Sequence, residues 1–155
     1  MDSSTYDSAS GPKALLLDLM GTCTDWYSSI LPALHSAPSI PALPPDSLKH
    51  LAADWREGFF KEAKMRYEAK QPVEDIDVTH RRVLNWLLLA RGVTPAMWDD
   101  GVRNRLVQAW HVQQAWPDVG PGLERLREKF IMYVGYSHAA AFNTHASFLL
   151  KNWRA

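Results

Sequence analysis

The feature that most constrains this chain is the run Ala14-Leu15-Leu16-Leu17-Asp18, followed at once by Leu19-Met20-Gly21-Thr22-Cys23-Thr24-Asp25-Trp26. A short, continuous apolar run reads as a strand buried in a parallel sheet. Ligands of open α/β sheets bind in the crevice beyond the carboxyl ends of such strands, which is where Asp18 stands. A carboxylate held there can serve as a covalent nucleophile. Gly21 offers a backbone free to adopt positive φ and to pass close to a bound anion. Thr22 adds a hydroxyl and a backbone N–H that can hold the attacked group. The competing reading of Asp18 is a side chain that merely caps a turn.

Downstream the pattern changes from strand to helix. Trp26 to Leu34 makes a short helix with Asp25 as its cap. The segment Pro38-Ser39-Ile40-Pro41-Ala42-Leu43-Pro44-Pro45 blocks regular structure. Asp46 or Ser47 then caps a helix carrying Leu48, Leu51, Ala52, Trp55, Phe59, Ala63 and Tyr67 at three-four spacing, ending near Lys70 because Pro72 follows. A third helix begins after Asp77 and stops at Gly92, a C-cap glycine. Thr94-Pro95, a cap followed by an N1 proline, predicts a fourth helix through Met97, Trp98, Val102, Leu106 and Trp110. Trp116-Pro117-Asp118-Val119-Gly120-Pro121-Gly122 reads as a turn-rich hinge, with a short helix from Leu123. Phe130 to Tyr136 is the second strand, ending at Ser137, and a last helix runs from about Ala139 to Trp153. Most of the seven tryptophans fall at helical spacing, as core residues do.

The spacing Asp-x-x-Gly-Thr at Asp18 to Thr22 resembles the first motif of the haloacid dehalogenase superfamily. Its local form, Asp-Leu-Met-Gly-Thr-Cys-Thr-Asp-Trp, is most similar to the type II 2-haloacid dehalogenases. The helical insert after strand one and the Trp-Pro-Asp-Val-x-Pro-Gly-Leu hinge resemble that branch in position and size. The resemblance covers roughly residues 13 to 138. It implies an α/β fold: a partial Rossmann-like, haloacid dehalogenase-like core with an inserted helical cap, mostly helical by residue count. On this reading 1–12 is a disordered tail, 13–25 and 115–155 form the partial α/β core, and 26–114 is the cap.

The resemblance also implies a chemistry. Asp18 attacks the substrate carbon, expels halide and forms an ester that water then cleaves. Met20 discriminates among family members. Phosphatases of the superfamily usually carry a second Asp there, which protonates a departing alkoxide. Methionine has no such proton to give, and halide needs none. No cofactor is therefore expected, and Mg²⁺ belongs only to the phosphatase alternative. Arg56, in Ala53-Asp54-Trp55-Arg56, resembles the family's Trp-Arg on the cap helix, where a guanidinium grips substrate carboxylate or halide. Its other reading is an exposed arginine paired with Glu57 or Glu62. Ser137 falls on the serine of the family's Ser-Asn-Gly triplet, which binds the substrate carboxylate, but His138 and Ala139 replace the Asn and Gly. None of the six histidines pairs at i,i+4, so a zinc site is not expected.

The 17 basic and 17 acidic residues balance, so nothing points to nucleic acid. A lone cysteine, Cys23, suits a reducing compartment, and the expected location is cytoplasmic. No apolar run approaches a membrane span, and no signal peptide is visible. The implied partner is a small carboxylic acid substrate. The family continues well beyond the length seen here, with a later lysine and water-positioning residues, so the chain reads as C-terminally truncated. One edge of strand one is then bare, which predicts a homo-oligomer through that edge or aggregation. Three functional readings follow: a 2-haloacid hydrolase working through an Asp18 ester, an inactive fragment acting through protein contacts, and a phosphatase.

Overall fold

The structure, a computed structural model, describes residues 11–135. Ser137, the helix expected over 139–153 and residues 1–10 of the expected tail lie outside the described residues. Strand β1 (Ala14–Asp18) pairs in parallel with β4 (Ile131–Gly135), in the register Ala14 to Ile131 through Asp18 to Gly135. Parallel neighbours require a crossover, and α5 (Val119–Arg127) supplies its last leg and packs against β4. A second, antiparallel ribbon joins β2 (Thr24–Asp25) to β3 (Gln114–Ala115), pairing Thr24 with Ala115 and Asp25 with Gln114. Between β2 and β3 run α1 (Trp26–His35), α2 (Pro45–Glu68), α3 (Ile76–Ala90) and α4 (Asp100–Gln108), the last extended by a 3₁₀ turn at Ala109–His111. The described residues are thus mostly helical, with a small parallel sheet as a Rossmann-like core and helical insertions.

The expectation that β1 is buried is not met. Its residues alternate between exposed and half-buried, and Leu16 is 66% exposed. Among the described residues β1 has one neighbour, β4, whose Ile131 and Tyr133 are also exposed. In a parallel register paired residues point to the same side, so Leu16 and Tyr133 share an uncovered face. The fully buried apolar residues other than Cys23 all lie between Ile30 and Trp110. They form one core in which Ile30, Leu34, Trp55, Leu84, Leu88, Trp98 and Trp110 interlock. Not all the tryptophans join it, since Trp86 is half exposed on α3 and Trp116 stands at the surface.

Local signals explain the helix ends. The Asp25 carboxylate accepts from Ser28 N at 3.1 Å and caps α1, as its position predicts. Helix α2 begins two or three residues earlier than its polar candidates suggest: Pro44 is the N-cap, Pro45 takes the first turn, and the Ser47 hydroxyl donates to Pro44 O. It ends in a Schellman turn, with Lys70 N donating to Tyr67 O, Gln71 N to Arg66 O, and Lys70 itself at φ +52°. The same motif closes α3, with Gly92 at φ +72°, and here the glycine was legible in advance. Helix α3 starts slightly earlier than expected, capped by Asp75, which accepts from Asp77 N. The fourth helix starts at Asp100, not at Thr94-Pro95, which open only a turn. Asp99 outcompetes that signal by accepting from Val102 N at 2.8 Å, while the Trp98 indole is drawn away to Pro38 O. Met97 and Trp98 are therefore not helical. Part of the expected hinge, Val119 to Gly122, is in fact the first turn of α5. Helices α2 and α3 cross closely at Gly58, where a Cβ would lie 2.7 Å from Val83 Cγ1.

Candidate active site

Strand β1 delivers Asp18 to the carboxyl end of the sheet with its side chain exposed. The loop that follows is wound around one carbonyl. Leu19 O accepts from Cys23 N at 2.9 Å and from Thr24 N at 3.0 Å, while Gly21 N donates to Thr24 O at 3.1 Å. Closing so tight a loop requires Gly21 at φ +91°, a conformation that side chains disfavour. The loop curls back on the carboxylate: the Thr22 hydroxyl donates to Asp18 Oδ2 at 3.1 Å. Among the described residues Asp18 Oδ1 accepts no hydrogen bond. Cys23 is tucked beneath, where burial pushes its thiol pKa up and the Asp18 charge adds to the effect.

Arg56 reaches this loop from α2. Its Nη2 lies 3.4 Å from where a Cβ on Gly21 would sit, so the glycine makes room for the guanidinium. The Trp26 ring, 5.1 Å from Arg56 Cζ, and the Phe60 ring, 4.9 Å away, hold the cation by cation–π attraction. Arg56 Nε is buried with no hydrogen-bond partner among the described residues. The surface pairing with Glu57 or Glu62 does not form, because Glu62 is taken by Arg82 at 2.9 Å. Arg82 also grips Glu74, whose carboxyl is held down to about 2, first by the Arg82 hydrogen bond. Met20 packs against the helical core, half-buried.

The return crossing of the helical segment closes the site from the other side. Trp116, one residue after β3, donates its backbone N–H to Cys23 O at 3.2 Å and its indole N–H to Gly21 O at 3.3 Å. Thr24 Oγ1 lies 2.6 Å from Gln113 Oε1, within hydrogen-bond reach across the same ribbon. The structure therefore brings Asp18, Thr22 and Arg56 to one loop, with Ser137 outside the described residues. Sequence reasoning missed Trp26, Phe60 and Trp116. Phe60 carried a usable signal, since it stands four residues after Arg56 on one helix face. Among the described residues no group of three or more His, Cys, Asp or Glu side chains is placed to hold a metal ion. No helix among them is long and apolar enough to cross a membrane.

Solved structures share this fold. A dehalogenase crystal structure superposes with a TM-score of 0.65 at 21% identity, over 84% of this chain and 52% of that one. A defluorinating L-2-haloacid dehalogenase gives 0.63 at 26% identity, over 78% and 49%. The L-2-haloacid dehalogenase from Xanthobacter autotrophicus gives 0.65 at 20%, over 81% and 47%. The chain spans about half the length of these structures. No family model matches it, and no curated protein does. The described residues have the L-2-haloacid dehalogenase-like fold of the haloacid dehalogenase superfamily.

Proposed function

We propose that this chain carries the nucleophile and the anion-binding cation of a hydrolase that cleaves the carbon–halogen bond of small 2-haloacids. One observation carries the reading: the Arg56 cation of α2 lies against the Gly21 loop, and the carboxylate that heads this loop is exposed. In this mechanism an Asp18 oxygen attacks the carbon bearing the halogen. The new C–O bond forms as the carbon–halogen bond breaks, and halide leaves with its electron pair. Water then hydrolyses the ester to a 2-hydroxy acid and restores the carboxylate. Arg56 binds the substrate carboxylate or the departing halide, with Thr22 and Ser137 as further anion contacts. A guanidinium flanked by Trp26 and Phe60 and lacking a partner at Nε retains donors for such an anion. Met20 favours this chemistry over phosphate-ester hydrolysis, because halide needs no proton donor at that position. The accompanying partition gives 13–25 and 115–155 to an α/β core and 26–114 to a cap.

The test is halide release from 2-chloropropionate by the purified chain, with Asp18→Asn as control. Release that disappears in the variant, with an unchanged melting curve, is the expected result. Release that persists in Asp18→Asn removes the nucleophile assignment. A second reading, a non-catalytic chain acting through protein contacts, draws on the exposed apolar face of Leu16, Ile131 and Tyr133. A folded chain that releases no halide from any short 2-haloacid supports that reading instead.

A further inference from the structure

We propose that Trp116 is a positioning residue that aims the backbone N–H of Thr22. Three backbone N–H groups of this turn are held within the loop itself. Gly21 N, Cys23 N and Thr24 N donate to Thr24 O or Leu19 O. The carbonyl of Gly21, like that of Cys23, is held from outside the loop. It accepts from the Trp116 indole at 3.3 Å, from a residue that enters only after the whole helical segment has been traversed. The backbone of Trp116 is itself fixed at both ends, its N–H on Cys23 O at 3.2 Å and its carbonyl accepting from Val119 N at 3.0 Å. The indole donor therefore stands at a defined place.

Gly21 O and Thr22 N belong to one peptide plane. No described peptide bond is cis, so the two groups point in opposite directions across that plane. Holding the carbonyl toward Trp116 turns the Thr22 N–H away from it. That N–H donates to no group among the described residues, and its own side chain is bonded to the Asp18 carboxylate. It is a donor left open on the residue whose hydroxyl bonds the exposed acid. Gly21 is also the joint where rotation meets least resistance, since it lacks a Cβ and already sits at φ +91°. Without an outside hold on its carbonyl, this peptide can turn over. The indole supplies that hold, and it ties the aim of a site donor to the closure of the β2–β3 ribbon.

Trp116→Phe removes the N–H and keeps an aromatic ring at a surface position, and Trp116→Leu removes it by a second route should the first variant fold poorly. The direct readout is the Thr22 amide resonance in a ¹⁵N-labelled chain, with the Gly21 carbonyl ¹³C beside it. Both are expected to shift well beyond the change at Lys70, an exposed residue past the C-terminal end of α2, while the melting temperature holds. An unmoved Thr22 amide overturns the proposal whatever the kinetics do. The kinetic arm rests on the dehalogenase reading above: KM for 2-chloropropionate is expected to rise roughly tenfold, as loss of one hydrogen bond to an anion does, with kcat nearly unchanged. A moved amide with an unchanged KM overturns the link from this donor to the substrate. A moved amide in a chain whose wild type releases no halide upholds the positioning role and removes the dehalogenase reading.

Discussion

Replacing Gly58 by alanine should destabilise the chain, although the same change in most helix interiors does the opposite. Gly58 lies inside α2, where alanine ordinarily gains about 0.5–1 kcal/mol from backbone entropy. Here the new Cβ would meet Val83 Cγ1 at 2.7 Å, roughly 1 Å inside normal carbon–carbon contact. Val83 is 2% exposed and has no room to retreat. Overpacking of this kind costs about 1–3 kcal/mol, so the net loss should be about 1–2 kcal/mol. Val83→Ala alone removes two buried methyl groups and should cost about 2–3 kcal/mol, transfer and cavity terms together. In the double variant the methyl introduced by Gly58→Ala occupies space that the valine side chain has vacated, and the clash vanishes. Gly58→Ala should then turn mildly stabilising in the Val83→Ala background, a coupling of roughly 2 kcal/mol. Urea titration of the four proteins, followed by tryptophan fluorescence and by helical circular dichroism, measures each term. Effects that add within about 0.5 kcal/mol would refute the close crossing of α2 and α3 as the cause.

Lys70→Gly should stabilise the chain by about 0.5–1 kcal/mol, read as a raised urea midpoint, because Lys70 holds φ +52° at the end of α2 where glycine is unstrained. Gly21→Ala should cost about 1–2 kcal/mol from its φ of +91° and should also crowd Arg56 Nη2, so it lowers both the melting temperature and any affinity for a small carboxylate. Glu74→Gln should cost roughly 1–2 kcal/mol at pH 7 through its weakened hold on Arg82. The folded carboxyl of Glu74 is lowered from 4.5 to about 2, so its contribution is full above 4.5 and fades as pH falls toward 2. The gap between wild type and Glu74→Gln should close over that window, and a gap that is constant with pH would rule out the charge as its source.

What the sequence made legible was local. The Asp18 strand, the Asp25 cap and the Gly92 stop each depend on a few neighbouring residues, and each stands where its chemistry predicts. The parallel partner of β1 was readable as a second apolar run of matching length. Misreadings arose where a distant contact decided the outcome. Thr94-Pro95 carried a proper helix-start signal, yet the Trp98 indole bonds to Pro38 O and the helix waits for Asp99. Apolar composition suggested a buried β1, but burial depends on what covers a strand, and composition does not report that. Arg56 was a candidate by motif alone, whereas its position against Gly21 depends on how α1 and α2 pack, a long-range fact. The two-residue strands β2 and β3 are too short to leave any periodic trace.

Those two short strands have a consequence for how such a chain tolerates change. Thr24 faces Ala115 and Asp25 faces Gln114, so the helices between them leave and re-enter through a single doorway. A graft that exchanged everything between the doorposts, or shortened it to a tight hairpin, would ask nothing of the pairing between β1 and β4. Chains that share the β1–β4 pair can on this account differ freely in the helices held between β2 and β3.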